Sequence, residues 1–133
     1  MPRRRVVFGP AEGTGGVAAG LCFVRAALAA WRLPGAGRFD GDAVLVAAEL
    51  LANAAVHAGG ARRLILERRP RTLLIEVADD SPRRPETRLP HRPDIAGGHG
   101  LHIVDVLSEH WGVTPCPDGK TVWAELRLPG PAP

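Results

Sequence analysis

The stretch DGDAVLVAAELLANAAVHA, residues 40–58, determines how the rest of the chain is interpreted. Ala, Leu and Val dominate it, and this composition predicts a mostly buried helix of nearly twenty residues. Asp40 is expected to supply the N-cap oxygen, and Gly59-Gly60 to end the helix. A long buried helix of this kind needs a sheet or other helices to cover it.

One narrow sector of this helix is polar. At about 100° per residue, Glu49, Asn53 and His57 fall within about 80° of one another, and Asp42 lies in the same sector. A helix face that simply faces water usually pairs its carboxylates with long cations, yet none of the 17 Lys and Arg residues lies between positions 39 and 61. Each buried polar group without a partner would cost about 1–3 kcal/mol. We therefore favour a cavity for a polar ligand, most simply a metal with an anion, over a solvated face.

Composition limits the classes of protein to consider. With 133 residues, the chain fits one domain with a genuine core, and residues 1–3 and 129–133 are expected to fray. The formal charge is only +3, and the arginines are dispersed without aromatic residues between them, so nucleic-acid binding is a weak interpretation. Cys22 and Cys116 are expected to be reduced. No apolar run is long enough to cross a membrane, and a cytoplasmic location is expected.

The remaining elements follow from hydrophobic periodicity and turn residues. The expected helices besides 40–58 are 17–31 and 101–111, and the expected strands are 4–8, 62–68, 72–78, 111–115 and 120–128. Strands 62–68 and 72–78 read as a hairpin, and residues 4–8 as an edge strand. Residues 82–96 are rich in proline and arginine, which predicts a lid loop. The order favours an α+β fold, a two-layer α/β sandwich with three helices on one face of a mixed, largely antiparallel sheet.

Two further segments carry polar chemistry. Asp79-Asp80-Ser81 directly follows an apolar strand, where carboxylates are typical of a ligand site; a capped turn explains the same residues equally well. Gly98-His99-Gly100 follows the expected lid and opens a helix at Leu101. Glycines let a backbone approach a phosphate closely, and a helix N-terminus provides free N–H groups. We therefore expect anion binding at the start of this helix.

Taken together, these segments resemble the motifs of the GHKL ATPases, the superfamily of gyrase, the heat-shock chaperones and the sensor histidine kinases. The pattern E-x-x-x-N-x-x-x-H at Glu49, Asn53 and His57 resembles the N box. Asp79-Asp80-Ser81 resembles a reduced G1 box, and Gly98-His99-Gly100-Leu101 the G2 box. Lys120-Thr121-Val122-Trp123 is similar to the closing strand of the family. The spacing of these motifs is also similar to that of the short, stand-alone anti-sigma-factor serine/threonine kinases.

The resemblance implies a Bergerat-type fold and specific roles on the N-box helix. Asn53 would bind Mg²⁺ through its side-chain oxygen, with the phosphates of ATP and water completing the shell. Glu49 would act as the general base on the attacking hydroxyl. His57 would lie at the edge of the nucleotide pocket, although a histidine bonded to a backbone carbonyl at the helix end is an equal alternative.

The same resemblance implies the rest of the nucleotide site. Asp79 would accept a hydrogen bond from the adenine amino group, with Thr121 supporting that contact and Ser81 beside it. Gly98, His99, Gly100 and Leu101 would surround the phosphates as the lid closes.

The implied activity is Mg-ATP-dependent phosphorylation of a partner antagonist protein, combined with sequestration of a sigma factor. The chain departs from the family at the G1 box, because Ser81 and Arg83 stand where a fuller D-x-G-x-G has glycines. The alternative is therefore a nucleotide-binding module of weak or no activity that works by docking a partner. A homodimer is left open.

Overall fold

A computed structural model of the chain describes residues 3–8, 16–32, 36–81 and 98–129. The strands and helices within these ranges follow one another in the order β1, α1, α2, β2, β3, α3, β4, β5. Their bounds are β1 Arg3–Val7, α1 Val17–Trp31, α2 Ala36–Ala58, β2 Ala61–Arg68, β3 Thr72–Asp79, α3 Gly98–Leu107, β4 His110–Cys116 and β5 Gly119–Arg127.

The strands form one sheet in the order β1-β2-β3-β5-β4. Every neighbouring pair of the described strands is antiparallel. The sheet was expected to be mixed and largely antiparallel, and the described strands contain no parallel pair. The predicted β2–β3 hairpin is confirmed, and β1 is an edge strand as expected. The three helices lie in the order α1, α2, α3 across the sheet, because α1 contacts β1 and β2, α2 contacts β2, β3 and β5, and α3 contacts β4.

Alternate residues of the central strands form the core with the helices. Because successive side chains of a strand point to opposite faces, the predicted alternation puts one apolar row of each strand against the helices. The buried strand residues of this core include Leu64, Leu66, Leu73, Ile75, Val77, Val122, Ala124 and Leu126. Val24 and Leu28 of α1 and Val46 and Leu50 of α2 pack in the same cluster. The predicted two-layer α+β architecture is therefore confirmed.

The start of α2 differs from the expectation. The helix begins at Ala36, so Asp40 lies inside it and is not its N-cap. Phe39 explains the extension, because its side chain is buried in the core cluster and holds this turn against the sheet. Asp40 Oδ1 is buried and has no hydrogen-bond partner among the described residues. Burial raises the pKa of the Asp40 carboxyl above its ordinary value.

The end of α3 was also predicted wrongly. The helix stops at Leu107, and Trp111 belongs to β4, where it pairs with Ala124. Trp111 fits either a helical or a strand pattern, and pairing with β5 decides between them. Its indole Nε1 donates a hydrogen bond to Asp105 Oδ1 of α3 at 3.0 Å, which joins the helix to the strand.

The expected lid, residues 82–96, lies outside the described residues, as do most of the terminal residues expected to fray. Arg3 belongs to β1. None of the described helices is both long and apolar enough to span a bilayer.

Candidate functional site

The polar residues of α2 lie on the flank that faces away from α1. A Cβ built on Gly20 of α1 would lie 2.6 Å from Leu51 Cδ1, so Leu51 marks the side of α2 that packs against α1. Glu49 and Asn53 each lie about 160° around the helix from Leu51. Since α2 contacts α1 and α3 and lies between them, this opposite flank is the one nearer α3. Both side chains are half-buried, so the flank is recessed.

Chain topology brings the predicted segments to one end of the sheet. Gly59-Gly60 lead from α2 into β2, whose first residue, Ala61, pairs with Asp79 at the end of β3. The C-terminal half of α2 therefore lies at the end of the sheet where β3 finishes.

The start of α3 lies at this same end. α3 leads through two residues into β4 and packs against that strand, so the helix runs back along it. β4 finishes at Cys116 opposite Gly119, next to the pairing of Lys120 with Asp79. Gly98, His99, Gly100 and Leu101 form the first turn of α3, one turn earlier than the expected helix start at Leu101. The positions of the three motifs thus converge, while the side chains of His57 and His99 lie outside what the structure describes.

Asp79 is held by an ion pair that the sequence did not predict. Lys120 Nζ lies 3.0 Å from both carboxylate oxygens of Asp79, and the two side chains are only 2% and 1% exposed. The oriented hydrogen bond goes to Oδ1, which also accepts the backbone N–H of Ser81 at 2.9 Å. Lys120 Nζ donates as well to the carbonyl oxygen of Ser81 at 3.2 Å. The carboxylate is therefore held by the Lys120 ammonium and the Ser81 N–H, and the ammonium in turn is held by the Ser81 carbonyl.

The contacts of Asp79 bear on whether residues 79–81 form a ligand site or a capped turn. The hydrogen bond from Ser81 N–H to Asp79 Oδ1 is the capped-turn arrangement that the turn interpretation requires. Oδ2, however, is buried and has no oriented hydrogen bond among the described residues. A buried acceptor of this kind usually has a donor. Residues 79–81 therefore form the capped turn, and the charge on the buried Oδ2 is offset by Lys120 Nζ at 3.0 Å.

Thr121 does not support Asp79 in the expected way. Lys120 is the β5 residue paired with Asp79, whereas Thr121 pairs with Ala78 and so points to the opposite face of the sheet. The Thr121 hydroxyl lies 3.7 Å from Cys116 Sγ on that face. The residue that the sequence analysis missed is Lys120. A signal was present, because Lys120 is the only lysine of an arginine-rich chain and begins the row of β5 that continues with Val122, Ala124 and Leu126.

The residues present are compatible with ATP and Mg²⁺. Neither Glu49 nor Asn53 makes a side-chain hydrogen bond or ion pair within the described ranges, so the Asn53 amide oxygen remains free for a hard cation such as Mg²⁺. Asp79 Oδ2, the acceptor that the expected adenine contact would require, is buried and lies 3.0 Å from Lys120 Nζ. A magnesium ion bound mainly by phosphates and water needs few protein ligands.

A separate cavity of ≈ 540 Å³ lies near the same end of the sheet. Arg5, Val7, Arg63, Ala78 and Cys116, on the face opposite the helices, contribute to its lining. Asp79 and Lys120 contribute to its wall, but the described residues of α2 do not. Because it lacks the N-box residues, we do not assign the nucleotide to this cavity.

Comparison with known proteins agrees with the architecture. A family model described as a histidine kinase-like ATPase domain matches residues 15–126, most of the chain. No curated protein matches the chain significantly.

Proposed function

The chain belongs to the histidine kinase-like ATPase domain family and is an ATP-binding domain of that type, and from this premise we propose that it is a Mg-ATP-dependent serine/threonine kinase. Its substrate would be a partner antagonist protein, and its further partner a sigma factor, as in anti-sigma-factor kinases. The family itself implies ATP, typically with Mg²⁺. The specific activity and the partners are the proposal.

The observation that carries this proposal is the position of Glu49 and Asn53. They lie one helical turn apart, half-buried, on the flank of α2 nearer α3 and toward the end of the sheet where β3 finishes. Within the described ranges their side chains have no internal partners that would explain them structurally. A carboxylate next to a magnesium-binding amide is what transfer of a phosphoryl group to a hydroxyl requires.

Each residue has a chemical task in this proposal. Glu49 accepts the proton of the attacking serine or threonine hydroxyl. The oxygen of that hydroxyl bonds to the γ-phosphorus, and ADP leaves. Asn53 would hold Mg²⁺, and the ion would neutralise charge on the phosphates. Asp79 would accept a hydrogen bond from the adenine amino group. The backbone N–H groups at Gly98 and Gly100, in the first turn of α3, would bind phosphate oxygens.

A second candidate function is a nucleotide-binding module without turnover. It is favoured by Ser81 and Arg83 at the glycine positions of the G1 box and by the ion pair that holds Asp79. In that case the chain would act through partner docking, with nucleotide controlling the docked conformation.

Phosphoryl transfer distinguishes the two candidates. The antagonist recovered by pull-down with the intact chain is incubated with γ-labelled ATP and either wild type or Glu49→Gln. The kinase proposal predicts labelling of a Ser or Thr by the wild type and a loss of at least about a hundredfold in the variant. Glu76→Gln, a half-buried glutamate on the helix-free side of β3, is the matched control and should label normally. ATP binding with no transfer by the wild type would leave the binding module as the function.

A further inference from the structure

We infer that the cavity of ≈ 540 Å³ on the face of the sheet opposite the helices is a second ligand site, which binds a small oxyanion through the guanidinium groups of Arg5 and Arg63. The ligand class is a compound that carries carboxylate or phosphate groups. This site is separate from the proposed nucleotide site, and the inference does not depend on the proposed function.

The register of β1 against β2 places the two arginines next to each other. Arg5 of β1 pairs with Ile65 of β2, and Arg63 of β2 pairs with Val7 of β1. Arg5 and Arg63 are therefore diagonal neighbours on one face of the sheet, with backbone positions about 7–8 Å apart. Both contribute to the lining of the cavity. Two side chains of this length can reach the same anion from diagonal positions.

Neither guanidinium has a counter-charge in the part of the chain that the structure describes. Arg5 and Arg63 make no side-chain hydrogen bond or ion pair there. The residues paired with Arg63 on its two sides, Val7 and Ala78, are apolar. Glu76 lies diagonal to Arg63 on β3, but the two side chains form no ion pair within the described ranges. Like charges that are close on a sheet destabilise it, and a bound anion would remove that cost.

The other cations of the lining already have carboxylate partners. Arg62 is paired with Asp80 at 3.0 Å, and Lys120 with Asp79 at 3.0 Å. Asp118 is the remaining acidic residue of the lining, and it is exposed in the turn between β4 and β5. The unpaired positive charge therefore lies on the β1–β2 side of the cavity, where the anionic group of a ligand would bind.

The size and chemistry of the cavity suit a small organic anion. A guanidinium group presents a planar set of N–H donors that matches the oxygens of a carboxylate or a phosphate. Val7, Phe8 and Pro117 add apolar surface to the lining, which can contact the carbon skeleton of a ligand. The volume lies within the range of small-molecule sites, roughly 300–1,000 Å³.

Protection of a sheet edge accounts less well for these residues. Charged side chains on an edge strand prevent association between sheets, and this explains arginines on β1. It does not explain Arg63, because β2 lies between β1 and β3 and is not an edge strand. The Arg63 side chain is also half-buried, so it is not simply a solvated surface residue.

The test is a titration of ¹⁵N-labelled protein with sodium citrate and, in a second arm, with sodium phosphate, in the absence of Mg²⁺ and nucleotide. Sodium chloride at matched ionic strength is the control. We expect the largest backbone amide shifts at Arg5, Arg63 and Cys116, and the arm with the higher affinity identifies carboxylate or phosphate as the ligand group. Shifts confined to residues 98–101, or shifts that chloride reproduces, would overturn the inference.

Variants of single charges test the contacts directly. Arg5→Met and Arg63→Met should each weaken binding of the preferred anion about tenfold, because each removes a charge-assisted hydrogen bond. Arg4→Met is the matched control, since Arg4 lies on the same strand but over the Trp31 ring, at 5.9 Å from its centroid. Its affinity should stay within about twofold of the wild type. Asp118→Asn removes a negative charge from the lining and should strengthen binding.

Each result decides the inference. Equal losses in Arg4→Met and Arg63→Met would show general attraction by a basic surface and would overturn the site, and so would weaker binding by Asp118→Asn. If Arg63→Met does not fold, Arg5→Met, at an exposed position of the edge strand, gives the same comparison with Arg4→Met. Because neither ATP binding nor phosphoryl transfer is measured, failure of the kinase proposal would leave this inference standing.

Discussion

The buried pair between Asp79 and Lys120 allows a sharp prediction about stability. Lys120→Met keeps the length and apolar volume of the side chain but removes the charge. It leaves a carboxylate that is 1% exposed with Ser81 N–H as its remaining oriented donor among the described residues. Removing one partner of a buried ion pair typically costs about 3–5 kcal/mol, because the other charge stays desolvated.

That cost translates into a large change in melting temperature. For 133 residues, about 2.1 cal/mol/K per residue gives an unfolding entropy of roughly 0.28 kcal/mol/K. Lys120→Met should therefore lower Tm by roughly 11–18 °C. Adding Asp79→Asn should restore most of the loss, to within about 2 kcal/mol of wild type, since the amide oxygen can still accept from Ser81 N–H and no charge is buried.

The assay is thermal and urea unfolding followed by circular dichroism, without nucleotide. Arg62→Met is the matched control, because the ion pair between Arg62 and Asp80 has the same 3.0 Å length but side chains that are 55% and 66% exposed. Its loss should cost less than about 1 kcal/mol. If Lys120→Met cost no more than Arg62→Met, the description of a desolvated charge pair would be wrong.

Three further predictions test local features of the structure. Gly119→Ala should lower the free energy of unfolding by roughly 1–3 kcal/mol, because the added Cβ would overlap the carbonyl oxygen of Asp79. Gly41→Ala, which adds a methyl group in open space inside α2, should raise the free energy of unfolding by about 0.5–1 kcal/mol. Urea titrations that reversed this order would contradict the packing. Burial raises the pKa of Asp40, so the carboxyl holds its proton more tightly in the folded protein than in the unfolded chain. The free energy of unfolding therefore falls as pH rises from about 4 through the pKa of Asp40 in the folded protein. Asp40→Asn should therefore raise Tm at pH 7 but not at pH 3, and an equal gain at both pH values would rule out this linkage. Asn53→Ala should weaken ATP binding at least about tenfold in the presence of Mg²⁺ and much less in EDTA, with an unchanged Tm; calorimetry showing unaltered affinity would remove Asn53 from the site.

Much of the fold could be predicted because its determinants are local. The alternation in β2, β3 and β5 and the spacing in α1 are set by which face of each element is buried, and the structure follows them. The errors arose where tertiary contacts override local signals. Phe39 extends α2 through a glycine-containing segment because it reaches the core. Trp111 fits two periodicities, and its pairing with β5 settles which one applies.

The candidate site also has features set by local sequence and features set by tertiary contacts. That Glu49 and Asn53 share one flank of α2 could be predicted from the helical period, because a common flank is a local property of the helix. Lys120 could not be placed beside Asp79 from the sequence, because their contact depends on the register of β3 against β5 across 41 positions. For the same reason Thr121 was given a role that its strand position does not allow.

The central claim is that the polar flank of α2, the end of β3 and the first turn of α3 bind one nucleotide. The most direct measurement is a titration of ¹⁵N-labelled protein with Mg-ATP, following the backbone amide shifts. We predict that the largest changes occur together at Glu49, Asn53, Asp79, Ser81 and residues 98–101. Changes confined to the opposite face of the sheet, at Arg5, Arg63 and Cys116 around the separate cavity, would contradict the claim.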